Sequence, residues 1–325
     1  MIGRPMMRIK KSPILISHRK IWDKASHNGM TDLIRHREIW YCAFREGEAH
    51  VHGENGQVRI LASLDGLNWI PAALFSIPGV DLRDPKLSVT PDGKLMLLVG
   101  GIVWNRDREY ETLHSRIAFS EDGRTWSPLS LILGSHDWLW RITWHKGKAY
   151  GVAYKRSVPK DRSKEWLATL YESSDGLDYS PLASFDISGH PNEATLRFRK
   201  NGEMIALLRR DSKQEPECLI GVSKEPYKDW KWYKTLHHFG GPNFLILPDN
   251  SMWAGGRIVL NSPYGFFEKT VLAKLELFQI EPILILPSGG DSSYPGMVYH
   301  DGLLWISYYS SHEGKAAIYL ARVAV

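Results

Sequence analysis

The chain of 325 residues has only two cysteines, Cys42 and Cys218, too few for a disulfide framework, and each sits in apolar, strand-like surroundings as a small hydrophobe. No apolar run approaches the roughly 18 residues of a membrane span. The stretch after the basic N-terminus, Met1 to Ser17, is too short and lacks the small-residue cleavage site of a secretory signal. A cytoplasmic location is therefore expected, with no membrane partner. Charge of one sign is also scarce: 41 Lys and Arg against 36 Asp and Glu leave a net charge of +5, spread along the chain. No basic run tracks a phosphate backbone and no recognition-helix pattern occurs, so nucleic acid is not an expected partner. Helical 3.6-residue spacing is missing throughout.

What the chain does have is repetition. Ser63-Leu-Asp65-Gly66-Leu-Asn-Trp69 recurs as Ser120 to Trp126 and Ser173 to Tyr179, and a worn copy from Ser223 to Trp230 has lost the Asp-Gly pair. The starts lie 57, 53 and 50 residues apart, a period that marks a repeat architecture. Each copy fits a hairpin: Asp-Gly supplies the φ > 0 turn, Ser and Asp bond back to its backbone, and the aromatic pins it to the layer beneath.

A second repeat keeps the same phase. Six units of apolar strand, Gly or Asn turn and apolar strand begin at Asn28, Asp84, Arg141, Glu193, Asn243 and Tyr294, spaced by 56, 57, 52, 50 and 51 positions. Six β-like units of about 50 residues predict an all-β, six-bladed propeller of four-stranded antiparallel blades, one domain over residues 1–325. The sixth unit has room for three strands only. A strand near Met7 to Ser17 is expected to complete it and remove the open edge. Inner strands converge on the axis with their starts at one mouth, so the six phase-setting residues are candidates for lining it. Polar strand starts are also common in ordinary sheets.

A propeller carrying these boxes resembles the sialidase (neuraminidase) superfamily over nearly its whole length, as an Asp-box (BNR) repeat propeller. That resemblance implies a glycoside hydrolase acting on an acidic sugar or glycan, with no cofactor and no metal. Asn192-Glu193 leads through the Asn201-Gly202 turn to Arg209-Arg210, Arg257 stands one blade later, and Tyr294 opens the last unit. By resemblance, Tyr294 is the nucleophile, Glu193 its base, and Arg209 and Arg257 clamp the substrate carboxylate; Arg210 points away. Those types fit the chemistry, since guanidinium forks onto a carboxylate and a neutral phenol avoids the repulsion a carboxylate nucleophile would meet. A phenol ionising near pH 10 needs such a base.

The first unit departs from the family. Its Arg is replaced by His27-Asn28-Gly29, leaving Arg45 to supply a third guanidinium, and the usual acid/base Asp is missing from a loop that reads Glu46 to Gly56. The proton donor is then His50 or Asp84, with Glu48 a further candidate. His50 and His52, at i and i+2 with no clear third ligand, make a poor zinc motif. Asn28, Arg141 and Asn243 are expected at the mouth, and Trp140 could stack on a sugar or be core. Two other readings remain: a polysaccharide lyase using His50 or Tyr294 as base, and a non-catalytic propeller binding glycans or proteins. Oligomeric state is not legible.

Overall fold

The computed structural model describes residues 12–51, 53–107, 109–155, 166–263 and 265–325. The described residues form six four-stranded antiparallel sheets set as propeller blades, and no helix occurs among them, so none is long and apolar enough to cross a membrane. Blade one holds β2 (His27–His36), β3 (Ile39–Gly47), β4 (Gln57–Ser63) and β5 (Ile70–Phe75). Blade two holds β6 (Asp81–Val89), β7 (Leu95–Trp104), β8 (Tyr110–Ser120) and β9 (Ser130–Ile132). Blade three holds β10 (Asp137–His145), β11 (Lys148–Lys155), β12 (Leu167–Ser173) and β13 (Ser180–Phe185). Blade four holds β14 (Pro191–Phe198), β15 (Met204–Arg210), β16 (Leu219–Ser223) and β17 (Lys231–Lys234). Blade five holds β18 (Gly240–Ile246), β19 (Met252–Ser262), β20 (Gly265–Glu276) and β21 (Gln279–Ile285).

Blade six contains β22 (Ser292–His300), β23 (Leu303–Ser310) and β24 (Ala317–Ala324) from the end of the chain. Its outer strand is β1 (Ile14–Trp22), which pairs antiparallel with β24 from Ile14↔Ala324 to Trp22↔Ile318. The closing strand therefore exists but lies later than its sequence-predicted place, which begins in residues outside those described. Closure leaves the ring without a gap between first and last blades.

Second strands are buried on both faces and read as near-continuous apolar runs; β3 is Ile-Trp-Tyr-Cys-Ala-Phe before its polar end. Fourth strands are the more exposed, with few buried residues. Between successive blades the apolar side chains pool into clusters at each joint, such as Ile60 with Leu82 and Leu97, or Leu207 with Phe244 and Ala273. Cys42 and Cys218 are unpaired and fully buried in two of these joints, where burial pushes the Cys218 thiol up to about 12.

The Ser-x-Asp-Gly boxes connect third to fourth strands. In the first, Ser63 Oγ accepts the Gly66 N–H at 2.9 Å and Asp65 Oδ1 accepts those of Leu67 and Asn68 at 2.7 and 2.8 Å. Gly66 (φ +69°) presses on the Trp305 ring of the neighbouring blade, where a Cβ would lie 2.5 Å away, so the glycine is needed for both conformation and space. In the worn copy Tyr227 takes the left-handed position at φ +62°, and Trp230 Nε1 still bonds its carbonyl at 3.0 Å.

All six inner strands share one irregularity. Pairing with the second strand skips two residues, between Gly29 and Asp32, Arg83 and Lys86, Leu139 and Ile142, Pro191 and Ala194, Gly240 and Asn243, and Ser293 and Gly296. Such bulges re-aim side chains. Side chains then stitch every joint to backbone around the axis. Leu87 N–H reaches Asp32 Oδ2 (2.7 Å), and Leu139 N–H reaches Ser115 Oγ (2.9 Å). Thr143 bonds Leu196 O (2.8 Å), Thr195 bonds Pro242 O (2.8 Å), Asn243 bonds Pro295 O (3.0 Å) and Thr31 bonds Tyr294 O (2.7 Å).

Candidate active site

The bulges of blades four and six set the closest polar contact at the mouth. Tyr294 is the first skipped residue of β22, held at φ +51°, a conformation that costs a bulky side chain energy and persists only when its surroundings enforce it. Here Thr31 holds its carbonyl and Asn243 holds that of Pro295. The phenol O–H donates to Glu193 Oε1 at 2.8 Å. Glu193 is the second skipped residue of β14; its Oε1 also accepts Arg209 Nη1 at 2.9 Å, and its Oε2 accepts the Gly241 N–H at 2.9 Å. Gly241 sits at φ +61°, and a Cβ there would lie 2.7 Å from Ser293 Oγ and 3.0 Å from Tyr294 N, so this donor approaches only as glycine.

Burial pushes the Tyr294 phenol well above its ordinary value, the charges of Glu193 and Asp84 push the same way, and Arg209 and Arg257 only partly oppose them. The phenol is thus neutral at pH 7, hydrogen-bonded to the group that would take its proton. Its ring stands among Trp140 (5.6 Å between centroids), Tyr309 (6.1 Å) and the Lys86 ammonium (5.8 Å).

Arg209 lies one residue from the end of β15, and Arg257 follows the apolar first half of β19, which continues to Ser262. Arg209 bonds Glu193 and approaches Asp211 at 3.5 Å, while Arg257 Nη1 meets Glu268 at 3.2 Å. Burial lowers the Arg209 guanidinium, and Glu193, Tyr294 and Asp211 together more than offset it, so it sits above the usual arginine range. In each the Nε–H is buried without a partner. A buried donor left unmade costs free energy, about 1–3 kcal/mol each.

Asp84, the first skipped residue of β6, is held at φ +50° with Oδ1 buried and unpartnered. Burial raises its carboxyl and Glu193 adds to that, with Lys86 and Arg83 opposing; the net direction is up. Lys86 is almost wholly enclosed, its ammonium 4.5 Å above the Trp140 ring, and burial lowers it to about 8. His50 is set by Asp291: His50 Nδ1 and His27 Nε2 both meet Asp291 Oδ2, at 2.9 and 2.8 Å, while Tyr309 O–H donates to Oδ1 at 2.6 Å.

The other expected lining residues are placed elsewhere. Arg45 is fully buried, with Nε and Nη2 on Asp81 Oδ1 (2.9 and 2.8 Å) and Nη1 on Ala49 O, so it supplies no third guanidinium. Arg141 forks onto Asp32 at 2.9 and 3.0 Å beneath the mouth. Asn28 is buried and spans the Ala25 and Ala316 carbonyls, and Asn243 spans Pro295 O and Arg197. Trp140 is 2% exposed and floors the site under Lys86, which leaves it no face for a sugar. Arg210 turns to Glu215 and Glu217. The phase positions mixed residues inside the bulges (Asp84, Arg141, Glu193, Tyr294) with residues on either flank (Asn28, Asn243), and a slip of one residue in a strand reverses the face.

Sequence reasoning missed Lys86, His27 and Asp291. Asp291 precedes Tyr294 by three residues in a Gly-Gly-Asp-Ser segment that reads as turn chemistry. His52 lies outside the described residues. A separate cavity of about 840 Å³, lined by Leu247, Trp253, Lys274 and Tyr299, lies by the β18–β19 turn, on the opposite face from Tyr294.

No family model and no curated protein matches the sequence. Solved structures do. A protein of unknown function from Dyadobacter fermentans has a TM-score of 0.81 at 19% identity, covering 97% of this chain and 99% of that one. Trypanosoma rangeli sialidase has a TM-score of 0.69 at 13% identity over 92% of this chain, which spans 55% of the sialidase. An α-L-arabinofuranosidase of Fusarium graminearum complexed with arabinobiose has a TM-score of 0.68 at 15% identity, covering 95% and 97%. The six-bladed fold is therefore one that glycoside hydrolases also adopt, and at these identities the likeness is one of fold.

Proposed function

We propose that this propeller is a retaining glycoside hydrolase for a carboxylate-bearing sugar. The observation that carries the reading is the 2.8 Å hydrogen bond from the neutral Tyr294 phenol to Glu193. Tyr294 Oη attacks the anomeric carbon as its proton passes to Glu193, and the glycosidic C–O bond breaks. The leaving oxygen takes its proton from Asp84, which burial keeps protonated to higher pH than an ordinary carboxyl. Water then attacks the same carbon, giving its proton to Asp84; the carbon–Tyr294 bond breaks and Glu193 returns the proton to the phenol oxygen. Arg209 and Arg257, with Nε–H donors unspent, bind the substrate carboxylate. Asp84 is preferred to His50 as donor because its charge is felt at the Tyr294 phenol and burial keeps its proton on.

The test is a panel of aryl glycosides of nonulosonic acids, uronic acids and, because structurally similar enzymes act on arabinan-type sugars, α-L-arabinofuranose. Release of the aryl alcohol from an acidic glycoside, with kcat lowered on the order of 10³-fold or more in Tyr294→Phe, is expected. Activity unchanged by that substitution rejects the mechanism. Turnover of the neutral sugar alone moves the substrate class, and an unsaturated product absorbing in the near ultraviolet moves the reaction to elimination.

A further inference from the structure

The joint between blades one and six, where the ring closes, brings together three side chains that the proposed hydrolysis does not use. His27 opens β2, His50 lies in the loop after β3, and Asp291 immediately precedes β22. His27 Nε2 and His50 Nδ1 point at one carboxylate oxygen, 2.8 and 2.9 Å from Asp291 Oδ2, and the three donor atoms lie within 4.8 Å of one another. Ligands on bonds of about 2.0–2.1 Å stand roughly 3.3 Å apart at the tetrahedral angle zinc prefers, so outward shifts of about half an ångström admit an ion among them.

We propose that His27, His50 and Asp291 form a binding site for a divalent first-row transition cation of the zinc or manganese kind. Two imidazoles and one carboxylate select against calcium and magnesium, which take oxygen ligands, and leave coordination positions open. The site has the supporting shell that ligating carboxylates use: Tyr309, wholly buried, donates its O–H to Asp291 Oδ1 at 2.6 Å and so commits that oxygen, leaving Oδ2 for the ion. His27 is enclosed on the Tyr309 side (centroids 5.8 Å apart), whereas the His50 and Asp291 side chains are 34% and 31% exposed. An ion can enter from that side. The donor set spans the chain: Asp291 lies 241 residues beyond His50. This proposal stands apart from the reading of Tyr294 and Glu193, since neither is a ligand.

The test uses the full chain stripped with a chelator, then titrated with Zn²⁺ and separately Mn²⁺ by calorimetry, alongside thermal unfolding. One equivalent bound by the wild type, with an upward shift in Tm, is expected. His50→Ala, at a half-exposed loop position, should weaken binding by at least tenfold and abolish the shift, and Tyr309→Phe should weaken it on the order of 10- to 100-fold. Failure of either ion to bind at millimolar concentration, or equal affinity in wild type and His50→Ala, overturns the site. Neither result depends on any glycosidase activity, so the two proposals fail separately.

Discussion

Blades one to three and blades four to six both bring guanidiniums to the axis, and they treat them differently. In the first half Arg45 and Arg141 are closed into internal pairs with Asp81 and Asp32, at 2.8 to 3.0 Å, with little or no exposure. In the second half the Arg209 and Arg257 side chains are 13% and 16% exposed, against 1% and 6% for Arg45 and Arg141, and they stand beside a phenol and a carboxylate that touch; an unpartnered Nε–H is common to Arg141, Arg209 and Arg257, so the difference lies in exposure. A charge enclosed with its carboxylate partner fixes structure, because removing one partner strands the other. A guanidinium that reaches an opening can still take up an anion. The same residue type at a similar place in a blade can therefore serve either end.

That contrast predicts where substitutions act. The largest effect is expected from Arg45→Met, which leaves the buried Asp81 with Arg83 (3.1 Å) as its remaining cation: about 3 kcal/mol of stability lost in urea unfolding, with kcat/KM of the folded fraction unchanged. A similar fall in kcat/KM would show that blade one serves the site after all. Arg257→Ala should do the reverse, raising KM for an acidic substrate about tenfold or more while kcat and the unfolding midpoint hold. The smallest effect belongs to Lys86 on the floor. Its native value of about 8 lies below that of the unfolded chain, so between pH 8 and 10 the unfolded state binds the extra proton. Stability from this group is therefore lowest below pH 8 and rises with pH, by at most roughly 1.4 kcal/mol per unit. Lys86→Met should remove that rise, as read from the difference between wild-type and variant unfolding at pH 7.5 and 9.5.

The parts of this molecule that are legible in its sequence are those with local causes. The Asp-Gly turns announce themselves because turn chemistry lies within five residues, and the apolar second strands because burial on both faces leaves no alternation. Glu193 and Tyr294 were within reach through their order along the chain and the resemblance it supports. Arg45 and Arg141 were misplaced because their partners, Asp81 and Asp32, are 36 and 109 residues away and nothing local names them. Asn28 and Asn243 were misplaced for a different reason. The two-residue bulge that aims a side chain at the mouth is invisible in a hydrophobic pattern, and both asparagines flank it rather than occupy it. Lys86 shows the same effect in reverse: placed just past the bulge in an apolar run, it reads as a strand residue and is instead the cation beneath the Tyr294 ring.

Whether the second half of the ring carries a nucleophile is tested most directly by trapping. Incubation with an activated, ring-fluorinated acidic glycoside, whose electron-poor sugar slows release, should leave one sugar residue on the protein, mapped by peptide mass spectrometry to Tyr294 and absent in Tyr294→Phe. Turnover with inversion at the anomeric carbon, or an adduct on any other residue, would contradict the account.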